Sequence, residues 1–161
     1  MQAINVVWLK RDLRFVDHEP LFLAQGAELP FILLYIFEPS VMSHHDSDVR
    51  HWRFVHESLQ DLNKQLAPFN KHIEIFHDEA MHVFEELTLN FNIQTVFSSQ
   101  ESGNLLTYER DINISEFFHS KNIQWNEFQT NGVVRRLKSR PQWPKMWEET
   151  MRTHSFNIQL D

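Results

Sequence analysis

Five short runs of apolar and β-branched residues recur along the chain, separated by stretches whose apolar positions return every three or four residues. The runs Ile4–Leu9 (INVVWL), Pro30–Phe37 (PFILLYIF), His72–Phe76 (HIEIF), Gln94–Ser98 (QTVFS) and Asn122–Glu127 (NIQWNE) predict strands. The first two and the fourth suit the centre of a sheet. Two of these are nearly continuous in hydrophobicity, as expected of parallel strands covered on both faces, whereas His72–Phe76 and Asn122–Glu127 alternate like edge strands. Between them, Trp52, Val55, Leu59, Leu62 and Leu66 form one stripe that predicts a helix over Asp48–Leu66. Shorter helices are predicted over Glu19–Gln25, over Glu79–Asn90 with Asp78 as N-cap, and over Asn104–Ser120 behind Ser102 and Gly103. This alternation predicts an α/β fold: a doubly wound, five-stranded parallel sheet with helices on both faces and right-handed crossovers, Rossmann-like in class.

After Glu127 the pattern breaks into QTNGVVRRLKSRPQWPKMWEETMRTH. Asn131-Gly132 marks a turn there, and Pro141 and Pro144 forbid a long regular element. The chain therefore divides into an α/β body, residues 1–134, and a linker with a short terminal helix, residues 135–161. Charge follows the same division. The body carries 9 Lys+Arg against 19 Asp+Glu, and the tail 6 against 3. An acidic body argues against nucleic-acid binding by the chain as a whole, since phosphate neutralisation needs a basic face, and leaves only the tail for it. The 161 residues suffice for one core. With no Cys, disulfide frameworks, thiol nucleophiles and iron-sulfur clusters are excluded. The longest apolar run, Phe31 to Phe37, is far short of the roughly 20 residues of a membrane span, and the N-terminus lacks the order of a secretory signal. A cytoplasmic protein is expected.

In a doubly wound sheet the crevice lies beyond the carboxyl ends of the strands, where the strand order reverses. The loops expected there are Lys10-Arg11-Asp12-Leu13-Arg14, Glu38-Pro39-Ser40 and Ser99-Gln100-Glu101-Ser102-Gly103. With only 3 Gly and none in the loop that follows the first strand, both the dinucleotide fingerprint and the Walker phosphate loop are absent. The first loop instead offers three cations around one carboxylate, able to hold an anionic ligand. The alternative is that Asp12 pairs with Arg11 or Arg14 and locks a turn. The ten His include no helical zinc pair with its glutamate, so no metal site is expected. Arg135, Arg136, Lys138, Arg140 and Lys145, interleaved with Trp143 and Trp147, could grip phosphates and stack on bases. Such a mix more often packs its Trp rings against the body and leaves its charges in water.

The opening Val6-Val7-Trp8-Leu9-Lys10-Arg11-Asp12-Leu13-Arg14, followed by Asp17-His18-Glu19-Pro20-Leu21, resembles that of the photolyase/cryptochrome family. Phe37-Glu38-Pro39, the stretch Arg53 to Leu62, Glu101-Ser102-Gly103-Asn104 with Thr107 to Asp111, and Gly132 to Arg140 continue the resemblance in order over essentially the whole chain. The resemblance implies an N-terminal α/β domain that binds a light-harvesting antenna chromophore, a flavin, deazaflavin or pterin. It also implies a separate C-terminal helical domain holding the catalytic FAD and, in photolyases, the pyrimidine dimer in DNA. This chain resembles the first domain alone, so it is expected to lack repair activity by itself and to have the helical FAD domain of its parent as partner, with DNA reached through the parent.

By position in those motifs the antenna-binding residues are Lys10, Arg11 and Asp12 in the first loop, Tyr35, Ile36, Phe37 and Glu38 along the second strand, and Arg53 on a helix. Gln100 and Glu101 follow at the fourth strand, with Tyr108 and Glu109 where pterin-type members carry an Asn-Glu pair. Tyr108 departs from that pair, which argues against a folate antenna. Filling of the cavity by Trp8, Tyr35 and Phe37 would leave room for none. The alternative function, from a different class, is a stand-alone nucleotide-binding or interaction module of the same fold without photochemistry.

Overall fold

The computed structural model describes residues 1–130, 132–135, 137 and 139–160. Five parallel strands, β1 (Gln2–Leu9), β2 (Phe31–Phe37), β3 (Ile73–His77), β4 (Phe91–Ser99) and β5 (Gln124–Phe128), form one sheet in the order β3-β2-β1-β4-β5. The strand order runs outward in both directions from β1, so the switch point lies between the carboxyl ends of β1 and β4. The edges are β3 and β5, the two alternating segments.

Successive residues of β1 face opposite sides, and two cores follow from that. On one side Ile4, Val6 and Trp8 pack with Leu34 and Ile36 against α4 (Ala80–Asn90) and α5 (Leu105–Ser120), through Val83, Phe84, Leu87, Ile114 and Phe118. On the other, Val7 and Leu9 pack with Leu33 and Tyr35 against α1 (Glu19–Gln25) and α3 (Val49–Leu66), through Leu21, Ala24, Leu59, Leu62 and Leu66. The chain is thus doubly wound, as its periodicity predicts.

Three local features differ from the sequence expectation. A four-residue helix, α2 (Pro39–Met42), follows β2, started by a proline at its first turn where no amide bond is lost. Strand β4 begins at Phe91, directly after α4 and three residues ahead of Gln94, because no turn residue separates the two. Asp78 is not the N-cap of α4. Glu79 occupies that position, and its carboxylate accepts instead from Ser40 N at 2.8 Å and Ser40 Oγ at 2.7 Å, tying α2 to α4. Asp78 accepts from Glu79 N, and its Oδ1 lies 3.0 Å from His82 Nδ1.

Beyond the sheet, α6 (Trp143–Met151) is the short terminal helix. Its rings do not bury themselves in the body: Trp143 and Trp147 stay 40% and 43% exposed, pack on each other at 6.3 Å, and close over Gly132, whose carbonyl accepts from Trp143 Nε1 at 2.6 Å. A side chain at Gly132 would collide with the Trp147 ring. Asn131 of the expected turn, and Arg136 and Lys138 of the basic run, lie outside the described residues. The last residues return to the α1 and α3 face, where Ile158 and Leu160 pack on the core and Phe156 meets Phe22 at 5.3 Å.

Candidate functional site

Three loops meet at the switch point, as the topology requires. Their side chains are joined by charge. Lys10, the first residue beyond β1, is buried, with its Nζ 3.2 Å from both Asp111 oxygens and 4.4 Å and 5.1 Å from the ring centres of Trp8 and Trp125. Arg11 Nε donates to Glu101 Oε1 at 2.5 Å. Arg110 donates to Glu38 and, at 2.9 Å, to Asp111, while its guanidinium lies 5.0 Å from the Trp8 ring centre. Arg135, from the segment after the sheet, donates to the Glu101 carbonyl at 2.9 Å and to Glu127 at 3.2 Å, and lies 3.3 Å from Asp111. Four cations face four carboxylates. That balance lets charges lie at a partly dry wall without a large desolvation deficit.

The titration behaviour reflects the same competition. Burial pulls the Lys10 ammonium below its usual range, and Asp111 opposes the shift. Burial likewise raises the Glu38 carboxyl against the pull of Arg110, and raises the Tyr35 phenol. Burial works against the charge on Arg110 too, but Glu38, Asp111 and Glu101 outweigh it and its guanidinium stays firmly charged.

Asp12 pairs with neither Arg11 nor Arg14, contrary to the turn-locking expectation. It turns inward, where it accepts from Lys10 N at 2.9 Å and from Ser99 Oγ at 2.5 Å, and lies 2.7 Å from His18 Nε2. His18 Nδ1 accepts from Leu21 N at the start of α1, so the proton of its ring sits on Nε2, toward Asp12. Burial alone would raise the Asp12 carboxyl, yet these donors hold it down at about 2. Arg14 is spent on the Asp17 carbonyl. The three cations of the first loop therefore serve three different partners.

Above this charged floor lies a cleft of about 850 Å³. One wall is the end of β1 and β2 with Trp8, Lys10, Arg11, Tyr35, Ile36 and Glu38, and another is α3 with Arg50, Trp52, Phe54 and Val55. The loop from Glu101 to Asn104, with Thr107 and Arg110 of α5, closes the third side. Gly103 lets that loop approach, since a Cβ there would strike the Thr107 hydroxyl. Trp8 and Tyr35 do not fill the space.

Among the residues expected from the sequence, Lys10, Arg11, Tyr35, Ile36, Glu38 and Glu101 line the cleft. Asp12 and Phe37 stand behind it, Phe37 wedged edge-on between Tyr35 at 5.0 Å and Trp52 at 6.1 Å. Gln100 is outside the lining, its backbone N–H donating to the Phe128 carbonyl. Arg53, Tyr108 and Glu109 are exposed and also outside it. On α5 the inward positions are Thr107, Asp111, Ile114 and Phe118, a step of four, three and four that turns Tyr108 and Glu109 outward. That phase is readable in the sequence and points to Asp111, with Arg110 beside it. Trp52 and Phe54 flank Arg53 in the same way, whereas Arg135 carries no periodic signal. Among the described residues no three His, Asp or Glu side chains group as metal ligands.

Comparison with known proteins bears on the family and the fold. Cryptochrome-1 of Mus musculus is 28% identical over 116 residues, 71% of this chain and 19% of that protein. Cryptochrome-2 of Gallus gallus is 28% identical over 83 residues, 52% of this chain and 14% of that protein. The chain thus spans at most about a fifth of these relatives. The photolyase of Sulfolobus tokodaii, an archaeal enzyme solved with two FAD molecules, superposes with a TM-score of 0.74 at 16% identity, over 94% of this chain and 35% of that one. A class III photolyase of Agrobacterium tumefaciens gives 0.71 at 19% identity, over 88% and 29%. These superpositions establish the fold. A sequence profile of DNA photolyase matches residues 5–145, nearly all of the sheet and the first part of the segment that follows it, and on that match the chain belongs to the DNA photolyase family.

Proposed function

We propose that this chain is the antenna domain of a photolyase or cryptochrome, and that the cleft at its switch point binds a planar light-harvesting chromophore of the flavin or deazaflavin type. The observation that carries the reading is the cleft itself. Its volume of about 850 Å³ lies within the roughly 300–1,000 Å³ of small-molecule sites, and aromatic side chains on two walls meet a few fixed polar groups. Trp52, Phe54 and Tyr35 supply apolar faces for a ring system, and Glu38, Glu101 and Arg110 supply hydrogen-bonding partners for a heterocycle. Arg11 and Arg50 at the open side suit a phosphate.

The residues therefore fit a flavin nucleotide. A folate is disfavoured, because Tyr108 and Glu109 stand outside the lining. The Sulfolobus tokodaii relative, whose second FAD is described as implying a novel light-harvesting cofactor, supports a flavin in particular. When bound, the chromophore would absorb light and pass excitation to the catalytic FAD of the parent. The residues of this chain bind it, orient it and shield it from water. Dimer repair or signalling would belong to the parent, and these 161 residues alone are expected to repair nothing.

The test is reconstitution with FMN, FAD, riboflavin, a deazaflavin and methenyltetrahydrofolate, read by fluorescence anisotropy, with AMP and ATP followed by calorimetry. Saturable binding of a flavin or deazaflavin, weakened about tenfold or more in Trp52→Ala by loss of a stacking face, is the expected result. Tighter binding of adenine nucleotides than of any ring chromophore would establish the alternative, a nucleotide-binding module without photochemistry.

A further inference from the structure

Arg135 is the one member of the charged floor that comes from beyond the sheet: β5 ends at Phe128, and the other seven charges sit on or directly after β1, β2, β4 and β5 or on α5. Its guanidinium reaches three separate structures. It bonds to the backbone carbonyl of Glu101, whose side chain holds Arg11 in the cleft wall. It meets Asp111, which also holds Lys10 and Arg110, and it bonds to Glu127 on the edge strand.

Three residues before it, Gly132 seats both indoles of α6. Among the described residues, Arg135 thus ties this stretch to the body and Gly132 ties it to α6. Lys145 and Arg152 of the same region are turned to carboxylates within it, Glu149 and Glu148.

We propose that Arg135 is a positioning residue that clamps the segment carrying α6 onto the back of the cleft, so that occupancy of the cleft and docking of this segment stabilise each other. The physical basis is the shared use of Glu101 and Asp111. A ligand that fixes the Glu101 loop and Arg110 also fixes the carbonyl and carboxylate on which Arg135 rests. By linkage, a docked Arg135 must then strengthen ligand binding by the same factor. Lysine cannot replace it fully, since one ammonium does not span a carbonyl and two carboxylates as a fork does.

Hydrogen exchange of the whole chain, followed on peptides covering 139–151, tests the clamp with and without FMN. In Arg135→Gln these amides are expected to exchange roughly tenfold faster, the size expected from losing charge-assisted hydrogen bonds to partly buried partners, while β1 and β4 stay protected. Arg135→Lys should recover part of the loss. Glu127→Gln, which removes one partner and lies outside the cleft lining, should loosen the segment in the same direction by less, and it serves if Arg135→Gln does not fold. Unchanged exchange at 139–151 in these variants overturns the clamp, whatever the ligand does.

The coupling rests on the chromophore reading, and the two fail differently. FMN that binds the wild type but slows exchange at 139–151 equally in the wild type and Arg135→Gln, or in neither, overturns the coupling. If no flavin, deazaflavin or nucleotide binds, the chromophore reading falls and takes the coupling with it, while the clamp is judged by the ligand-free exchange alone.

Discussion

A single buried carboxylate decides how the first loop is built. Asp12 holds a backbone amide, a serine hydroxyl and a histidine ring from three different segments, and its carboxyl is held at about 2 against the desolvation that would raise it. A folded value below the ordinary 3.8 means that the carboxylate stabilises the fold above about pH 5, by about 2 kcal/mol, and that this contribution is lost as pH falls toward the folded value. Asp12→Asn keeps the shape but presents an amide donor to groups that donate, so a loss of about 2–4 kcal/mol is expected from urea unfolding at neutral pH. Repeated between pH 5 and pH 2, the difference between wild type and variant should shrink. A difference that stayed constant over that window would show that the charge on Asp12 contributes nothing. Nothing in the pattern around Asp12 distinguished this role from an ion pair with Arg11 or Arg14, because its partners Ser99 and His18 come from other segments.

At the scale of elements, the connection between α5 and the mouth of the cleft depends on Asn104. Its Oδ1 caps α5 by accepting from Thr107 N at 3.1 Å, and its Nδ2 reaches Asp46 at 3.2 Å on the loop before α3. Asn104→Ala removes the cap at a cost of about 1 kcal/mol and frees the turn that positions Arg110 and Asp111. Flavin affinity should therefore fall more than the stability loss alone would imply, which parallel anisotropy and thermal melts would check. Equal losses in both would make Asn104 a cap and nothing more.

The regular elements were legible because period decides them. Ile4, Val6 and Trp8 against Val7 and Leu9, or Leu59, Leu62 and Leu66 along α3, announce two faces and one face respectively. Half of the residues expected in the cleft also line it, since strand ends and the loops after them converge by topology. What stayed hidden were elements too short to have a period, such as α2, and side chains whose role is set by a distant segment, such as Arg135, whereas the phase of α5 already turned Asp111 inward.

Charge at the scale of the whole molecule separates an acidic body from a basic tail, and among the described residues much of that basicity already has carboxylate partners. Arg135 is folded into the floor of the cleft, Lys145 lies 3.9 Å from Glu149, and Arg152 pairs with Glu148 at 2.5 Å. Arg140 is exposed, and the tail adjoins a body with a large excess of Asp and Glu. Phosphate binding needs several uncompensated cations on one face, each releasing a counterion, and here the outward Lys145 and Arg152 already sit beside carboxylates of their own segment. Duplex and single-stranded oligonucleotides are therefore expected to bind weakly, with Kd no tighter than roughly 10⁻⁴ M even at low salt. The half-exposed Trp143 and Trp147 add stacking faces but no phosphate neutralisation, so any residual binding should favour single strands and respond little to salt. Anisotropy titrations at two salt concentrations test this. Tight binding that falls steeply with salt would mean that the tail releases its internal ion pairs to meet DNA, and would give the segment after the sheet a second role beside the one assigned to Arg135.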